Sequence, residues 1–118
     1  MKSIPKPGNL LEKEVTGQVT DFLEMKGWTP IRLHTGTTRA KGAYIRHGKK
    51  GRLDWVMVHP AYPSFWCEMK RNSGGKISPE QEESIALLER QGYEVVVPAS
   101  IEEFKLWHAG FMQRVWKR

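Results

Sequence analysis

Cysteine is nearly absent from the sequence. Cys67 is the only one, so no internal disulfide can form, as is typical of proteins from a reducing compartment. No apolar run approaches the roughly 18 residues that a membrane helix needs, and the first residues lack the apolar stretch of a secretory signal. The phosphate-binding pattern Gly-x-x-x-x-Gly-Lys-Ser/Thr does not occur. We therefore expect a cytoplasmic protein with no membrane partner and no nucleotide cofactor.

Acidic residues are also in short supply. Thirteen Asp and Glu stand against 19 Lys and Arg, which gives a net charge of +6 and a pI near 9.6. A basic surplus favours polyanionic partners, because neutralising phosphates releases counterions. Many small basic proteins bind no nucleic acid, so the charge needs support from other features. The length of 118 residues, 39% of them hydrophobic, fits a single globular domain with its own core.

The pattern of apolar residues and turn formers predicts an α/β fold. Ser78 and Ser100 each begin a helix with a capping-box signal, and Gly27 and Gly92 each end one. The predicted elements are a helix over 10–26, strands over 29–34, 55–58 and 64–70, a helix over 79–91, a strand over 93–97 that reads as buried, and a helix from 101 to about 108. This order, α-β-β-β-α-β-α, indicates a mixed β-sheet flanked by helices.

Two acidic side chains come together if the two central strands form a hairpin in one particular register. When Val58 pairs with Ser64, Asp54 stands opposite Glu68, with Cβ atoms about 4.5–5.5 Å apart. A slip of one residue would place the two carboxylates on opposite faces. Because strand side chains alternate, Lys70 shares the face of Glu68.

Two adjacent carboxylates repel each other unless a cation lies between them. A hard divalent ion such as Mg²⁺ prefers oxygen ligands and relieves this repulsion. A neighbouring lysine adds a positive charge that can position a water or stabilise charge developing on a phosphate. Asp54, Glu68 and Lys70, on a basic protein, therefore suit metal-assisted phosphodiester hydrolysis.

The same residues resemble the PD-(D/E)XK nuclease superfamily, and in detail its virus-type replication-repair nuclease (VRR-NUC) branch. The resemblance covers roughly residues 10–98, and Leu53 stands where the family usually has a proline or a similar residue. It rests on five features in order: Glu14 in the first helix, Gly51-Arg52-Leu53-Asp54, Glu68-Met69-Lys70, Ser78-Pro79-Glu80-Gln81, and Gly92 at the end of that helix. It implies one restriction-endonuclease-like domain over 1–118, with a C-terminal helical extension over 99–118.

The resemblance also implies a role for each of these residues. Asp54, Glu68 and the backbone carbonyl of Met69 would bind a catalytic Mg²⁺ or Mn²⁺, and Glu14 would reach the metal region, through water. Lys70 would orient or activate the attacking water, and Gln81 would support Lys70 or contact the substrate. Stand-alone members are similar to phage Holliday-junction resolvases. We therefore expect a homodimeric endonuclease for branched DNA, encoded by a phage or prophage and acting in the bacterial cytoplasm.

A basic segment precedes Asp54 and is interpreted as a loop. Over 39–52 it has no acid, several glycines and six cations. We expect these cations to contact DNA phosphates, so that recognition depends on backbone and shape more than on base sequence. The six residues are Arg39, Lys41, Arg46, Lys49, Lys50 and Arg52. Residues 104–118 are rich in apolar side chains, which would suit core packing or pairing with a second copy.

Simpler interpretations remain open at this point. Asp54 and Glu68 would be ordinary surface acids with Lys70 as their ion-pair partner, Gln81 would serve only as a helix cap, and Glu14 would be a solvated helix residue. The basic segment would be a solvated face. A general DNA nuclease or nickase without branch preference, or a DNA-binding module without catalysis, are the alternative functions.

Overall fold

The computed structural model describes residues 10–33, 37–40, 43–46, 53–71 and 75–116, with the backbone alone described for 37–40 and 43–46. The elements run in the order α1 (Glu12–Met25), β1 (Thr29–Arg32), β2 (Thr37–Ala40), β3 (Ala43–Arg46), β4 (Trp55–Val58), β5 (Phe65–Cys67), α2 (Pro79–Arg90), β6 (Glu94–Val96) and α3 (Ile101–Trp116).

Four of the strands form a mixed sheet in the order β1-β4-β5-β6. The pairs β1–β4 and β4–β5 are antiparallel, whereas β5 and β6 are parallel and are connected through α2. Three helices flank this sheet, so the predicted α/β class and the element order α-β-β-β-α-β-α of the sheet and its helices are confirmed.

The two faces of the sheet are covered unequally. On one face, Met57, Phe65 and Cys67 pack against buried side chains of α1 and α3 in a single core cluster. Phe65 lies at the centre of this layer, with its ring centroid 5.1 Å from that of Phe111. The opposite face is covered by α2, and every residue of α2 that the structure describes is at least partly exposed. The layer of α1 and α3 therefore contains most of the apolar burial.

Local signals account for the helix boundaries. Gly27 and Gly92 have φ angles of +88° and +93°, a region that a residue with a Cβ adopts only with strain, and they follow the ends of α1 and α2. Ser78 caps α2 with a complete capping box, and Pro79 occupies the first helical position. The helix starts predicted at Ser78 and Ser100 are confirmed.

Three details differ from the sequence prediction. The last helix continues to Trp116 because Phe111 and Val115 extend its buried stripe past Gly110. The segment interpreted as a basic loop contains the antiparallel pair β2–β3, in which Ala40 pairs with Ala43 across the two-residue connection Lys41-Gly42. The strand predicted as buried, β6, lies at the edge of the sheet and is only partly buried.

Candidate active site

The register of β4 and β5 decides whether the two carboxylates meet. Trp55 pairs with Cys67 and Met57 with Phe65. Extended by one residue in each direction, this register places Asp54 opposite Glu68 and Val58 opposite Ser64. A direct contact confirms it, because the main-chain N–H of Asp54 donates a hydrogen bond of 3.0 Å to Glu68 Oε2. The hairpin register predicted from the sequence is therefore correct.

The segment after β5 stays extended because β6 and the residues after it supply hydrogen bonds. The Glu68 N–H donates to the Val96 carbonyl at 3.1 Å, and the Lys70 N–H donates to the Pro98 carbonyl at 3.0 Å. Side chains consequently alternate along this segment. Cys67 and Met69 enter the core, where burial raises the pKa of the Cys67 thiol. The side chains of Glu68 and Lys70 lie on the α2 face, at 6% and 15% exposure.

Gln81 connects the two charged side chains. Its Nε2 donates to Glu68 Oε1 at 3.0 Å, and its Oε1 accepts from Lys70 Nζ at 3.1 Å. Lys70 Nζ itself lies 3.7 Å from Glu68 Oε1. Glu68, Lys70 and Gln81 thus form one closed set of contacts on the α2 face of the sheet.

The capping box of α2 fixes Gln81 in this position. The Gln81 N–H donates to Ser78 Oγ at 3.1 Å, and the Ser78 N–H donates back to Gln81 Oε1 at 3.2 Å. The capping role and the contact with the charged pair therefore use the same amide. The sequence predicts Ser78 as a helix cap, and the Ser-x-x-Gln spacing that indicates the cap also places the Ser78 N–H beside the site.

The surroundings of Glu68 disfavour the ionised form of its carboxyl group. Burial raises the pKa of this carboxyl, and the charge of Asp54 raises it further. The N–H of Asp54, the charge of Lys70 and the amide of Gln81 act in the opposite direction, but the net shift is upward. A divalent cation beside Asp54 and Glu68 would stabilise both carboxylates in their ionised forms.

The donor atoms present suit a hard cation. Asp54 and Glu68 offer carboxylate oxygens, and Mg²⁺ typically takes one or two carboxylates together with water and substrate phosphate oxygens. Among the described residues, no group of three or more His, Cys, Asp or Glu side chains is arranged to hold a metal ion. Glu14 lies in the first turn of α1 and is partly buried, and it does not complete a three-residue cluster of that kind.

The predicted DNA-contacting residues are described only in part. Arg39 in β2 pairs with Tyr44, and Arg46 in β3 pairs with Thr37. The other four, Lys41, Lys49, Lys50 and Arg52, lie outside the described residues.

Comparison of the chain with protein-family models, with curated proteins and with solved structures found no match. In the described part of the chain, no helix is both long enough and apolar enough to cross a membrane.

Proposed function

We propose that this chain is a Mg²⁺- or Mn²⁺-dependent endodeoxyribonuclease of the PD-(D/E)XK type, which hydrolyses phosphodiester bonds in branched DNA. The observation that carries the proposal is the contact set that links Asp54, Glu68, Lys70 and Gln81. An ordinary surface ion pair would not require a buried glutamate that accepts hydrogen bonds from a main-chain amide and a helix cap. The VRR-NUC resemblance supports the same function.

In this mechanism Asp54 and Glu68 would hold the metal, and the VRR-NUC resemblance implies the Met69 carbonyl as a further oxygen ligand. The bound metal supplies Lewis-acid stabilisation of the phosphate and lowers the pKa of a water. Lys70 donates hydrogen bonds from its ammonium group toward the attacking water or the phosphate, and Gln81 limits the movement of that ammonium group. Water adds to phosphorus and gives up a proton to the solvent, the bond to one sugar oxygen breaks, and that oxygen takes up a proton from the solvent.

The basic surplus of the chain would bring DNA to this site. We propose that Arg39, Lys41, Arg46, Lys49, Lys50 and Arg52 contact phosphates, since they precede Asp54 in a stretch without acids. The proposed cleavage would occur in the cytoplasm of a bacterial host, and the protein would be encoded by a phage or prophage.

We further propose that the active form is a homodimer. The outward face of α3 exposes Leu106 by 79% and Trp116 by 77%, with Ala109 between them. A two-fold dimer presents two sites, which matches the two equivalent strands of a four-way junction. Sedimentation of the wild type and of the double variant L106E/W116E tests this state. We expect a dimer that dissociates in the variant, and a wild-type monomer at micromolar concentration would contradict the proposal.

Cleavage of defined substrates tests the activity. Labelled four-way junction, flap, linear duplex and single strand are incubated with Mg²⁺, Mn²⁺ or EDTA. The chain has only two aspartates, so Asp54→Asn has a matched control in Asp21→Asn on the exposed side of α1. We expect metal-dependent cleavage of branched DNA that is lost in Asp54→Asn and retained in Asp21→Asn.

Other outcomes identify the alternatives. Equal cleavage of linear and branched DNA would indicate a general nuclease or nickase. Tight binding without cleavage under any metal condition would indicate a DNA-binding module and overturn the proposed activity.

A further inference from the structure

A cavity of about 240 Å³ lies between α2 and the sheet, on the same face as the carboxylate pair. Its lining residues are Leu33, Leu53, Trp66, Ser84, Leu87 and Leu88. Leu87 is 47% exposed, so the wall formed by α2 reaches the surface. The cavity is therefore accessible from the side on which α2 meets the solvent.

Three lining residues are close neighbours of the proposed catalytic residues. Leu53 directly precedes Asp54, and Ser84 lies one helical turn after Gln81 in α2. Trp66 shares its strand face with Glu68, two residues further along, which corresponds to roughly 7 Å. One extended nucleotide spans a distance of this order, so a ligand in the cavity and a phosphate at the carboxylates could belong to one DNA strand.

The chemistry of the cavity selects the ligand. Four leucines and the indole of Trp66 supply apolar walls, and the Ser84 hydroxyl supplies a polar contact. Among the described residues, those that line the cavity carry no charge, so they offer nothing to a phosphate or a metal ion. A flat aromatic ring with a polar edge fits such a site, because bases stack on aromatic side chains and present hydrogen-bonding groups at their edges.

We propose that this cavity binds one unpaired nucleobase of the DNA strand whose phosphate lies at Asp54 and Glu68. The inference rests on the proposed nuclease function and adds a source of selectivity to it. A base in a continuous duplex must be unstacked and unpaired before it can enter, whereas a base in a single-stranded flap is already unpaired. Preference for branched DNA would then follow from a base pocket and not from contacts to the branch itself.

Binding of a flap substrate without cleavage tests the pocket. The strand carries 2-aminopurine as a single unpaired nucleotide at the branch point, and a matched substrate carries an abasic site there. Affinity and fluorescence quenching are measured in EDTA. We expect the wild type to bind the base-bearing flap about tenfold more tightly, as one stacked base provides, with quenching by the indole.

Two variants locate the effect. Ser84→Phe fills the cavity from the α2 side, and Ala86→Phe adds the same ring at an exposed position of α2 that does not line it. We expect Ser84→Phe to bind both flaps with the affinity of the abasic one, while Ala86→Phe retains the difference. Trp66→Leu, checked for folding by its melting temperature, should remove the quenching.

The outcomes separate this inference from the function on which it rests. Equal affinity of the wild type for the two flaps would overturn the proposal that the cavity binds a base. An equal loss of affinity for both flaps in Ser84→Phe would overturn it as well. Binding of free 2-aminopurine riboside without binding of the strand-borne base also overturns it. Cleavage of the same flap that depends on Asp54 would, in each of these cases, leave the proposed nuclease function intact.

Discussion

Replacing Gln81 by alanine is the most informative perturbation of the site, because one side chain serves both the helix cap and the charged pair. The change removes the donor to Glu68 and the acceptor for Lys70 and for the Ser78 N–H. Hydrogen bonds to charged groups contribute about 1.5–3 kcal/mol each, and water replaces part of that at a partly exposed residue such as Gln81. We therefore expect a loss of about 2 kcal/mol in the free energy of unfolding.

This loss should appear in thermal unfolding as a melting temperature lower by about 5–10 °C for a domain of this size. Gln91→Ala, at the exposed C-terminal end of the same helix, is the matched control and should shift the melting temperature little. Gln81→Glu tests whether the Gln81 amide donates a hydrogen bond to Glu68. It keeps an acceptor for Lys70 but places a second carboxylate beside Glu68, so its stability loss should increase from pH 5 to pH 8.

The result that refutes this reasoning is a melting temperature for Gln81→Ala equal to that of Gln91→Ala. Gln81 would then be bonded to water in solution. Cleavage gives a second measurement, because a loosely held Lys70 should lower kcat more than it raises KM.

Further measurements concern titration and charge. Burial raises the pKa of Glu68, so between the ordinary glutamate pKa and the raised one the folded state retains a proton that the unfolded chain releases. Its contribution to stability should fall as pH rises above the ordinary glutamate value, by at most about 1.4 kcal/mol per pH unit. Difference curves against Glu68→Gln check this, and added Mg²⁺ should reverse the trend. Burial lowers the pKa of His108, and its Nε2 has no hydrogen-bond partner among the described residues. Stability should therefore fall as pH drops below about 6.5, and His108→Phe should flatten that dependence in denaturant titrations. The triple variant K49A/K50A/R52A should weaken DNA binding across sequences and reduce its salt slope by up to about three. An unchanged slope would remove these residues from the interface.

The parts of the fold set by short-range rules were predictable from sequence. Ser78 and Ser100 mark helix starts because a cap is a local hydrogen bond, and the Asp54–Glu68 register follows from counting residues across a hairpin. The end of α3 was missed, since Gly110 resembles a stop signal and only burial of Phe111 against the sheet overrides it.

Other features depend on how separate elements pack together. The cavity beside Trp66 forms only where α2, β5, Leu33 and Leu53 come together, and no spacing pattern in the sequence predicts that packing. The capping role of Gln81 with Ser78 is predictable from sequence. Its contacts with Lys70 and Glu68 are not, because the capping signal already accounts for a glutamine at this position.

The unequal covering of the sheet has a consequence for how the molecule opens. The layer of α1 and α3 packs against the sheet through Phe65, Phe104 and Phe111, which are fully buried. In contrast, α2 contacts the sheet through Gln81 and through partly exposed leucines. Local unfolding begins where few apolar contacts are lost, so α2 should separate from the sheet at a lower free energy than the strands separate from each other. Amide protons of α2 would exchange before those of β4 and β5. A substitution that loosens α2 would increase the access of solvent and ligands to Asp54 and Glu68 while the rest of the fold persists.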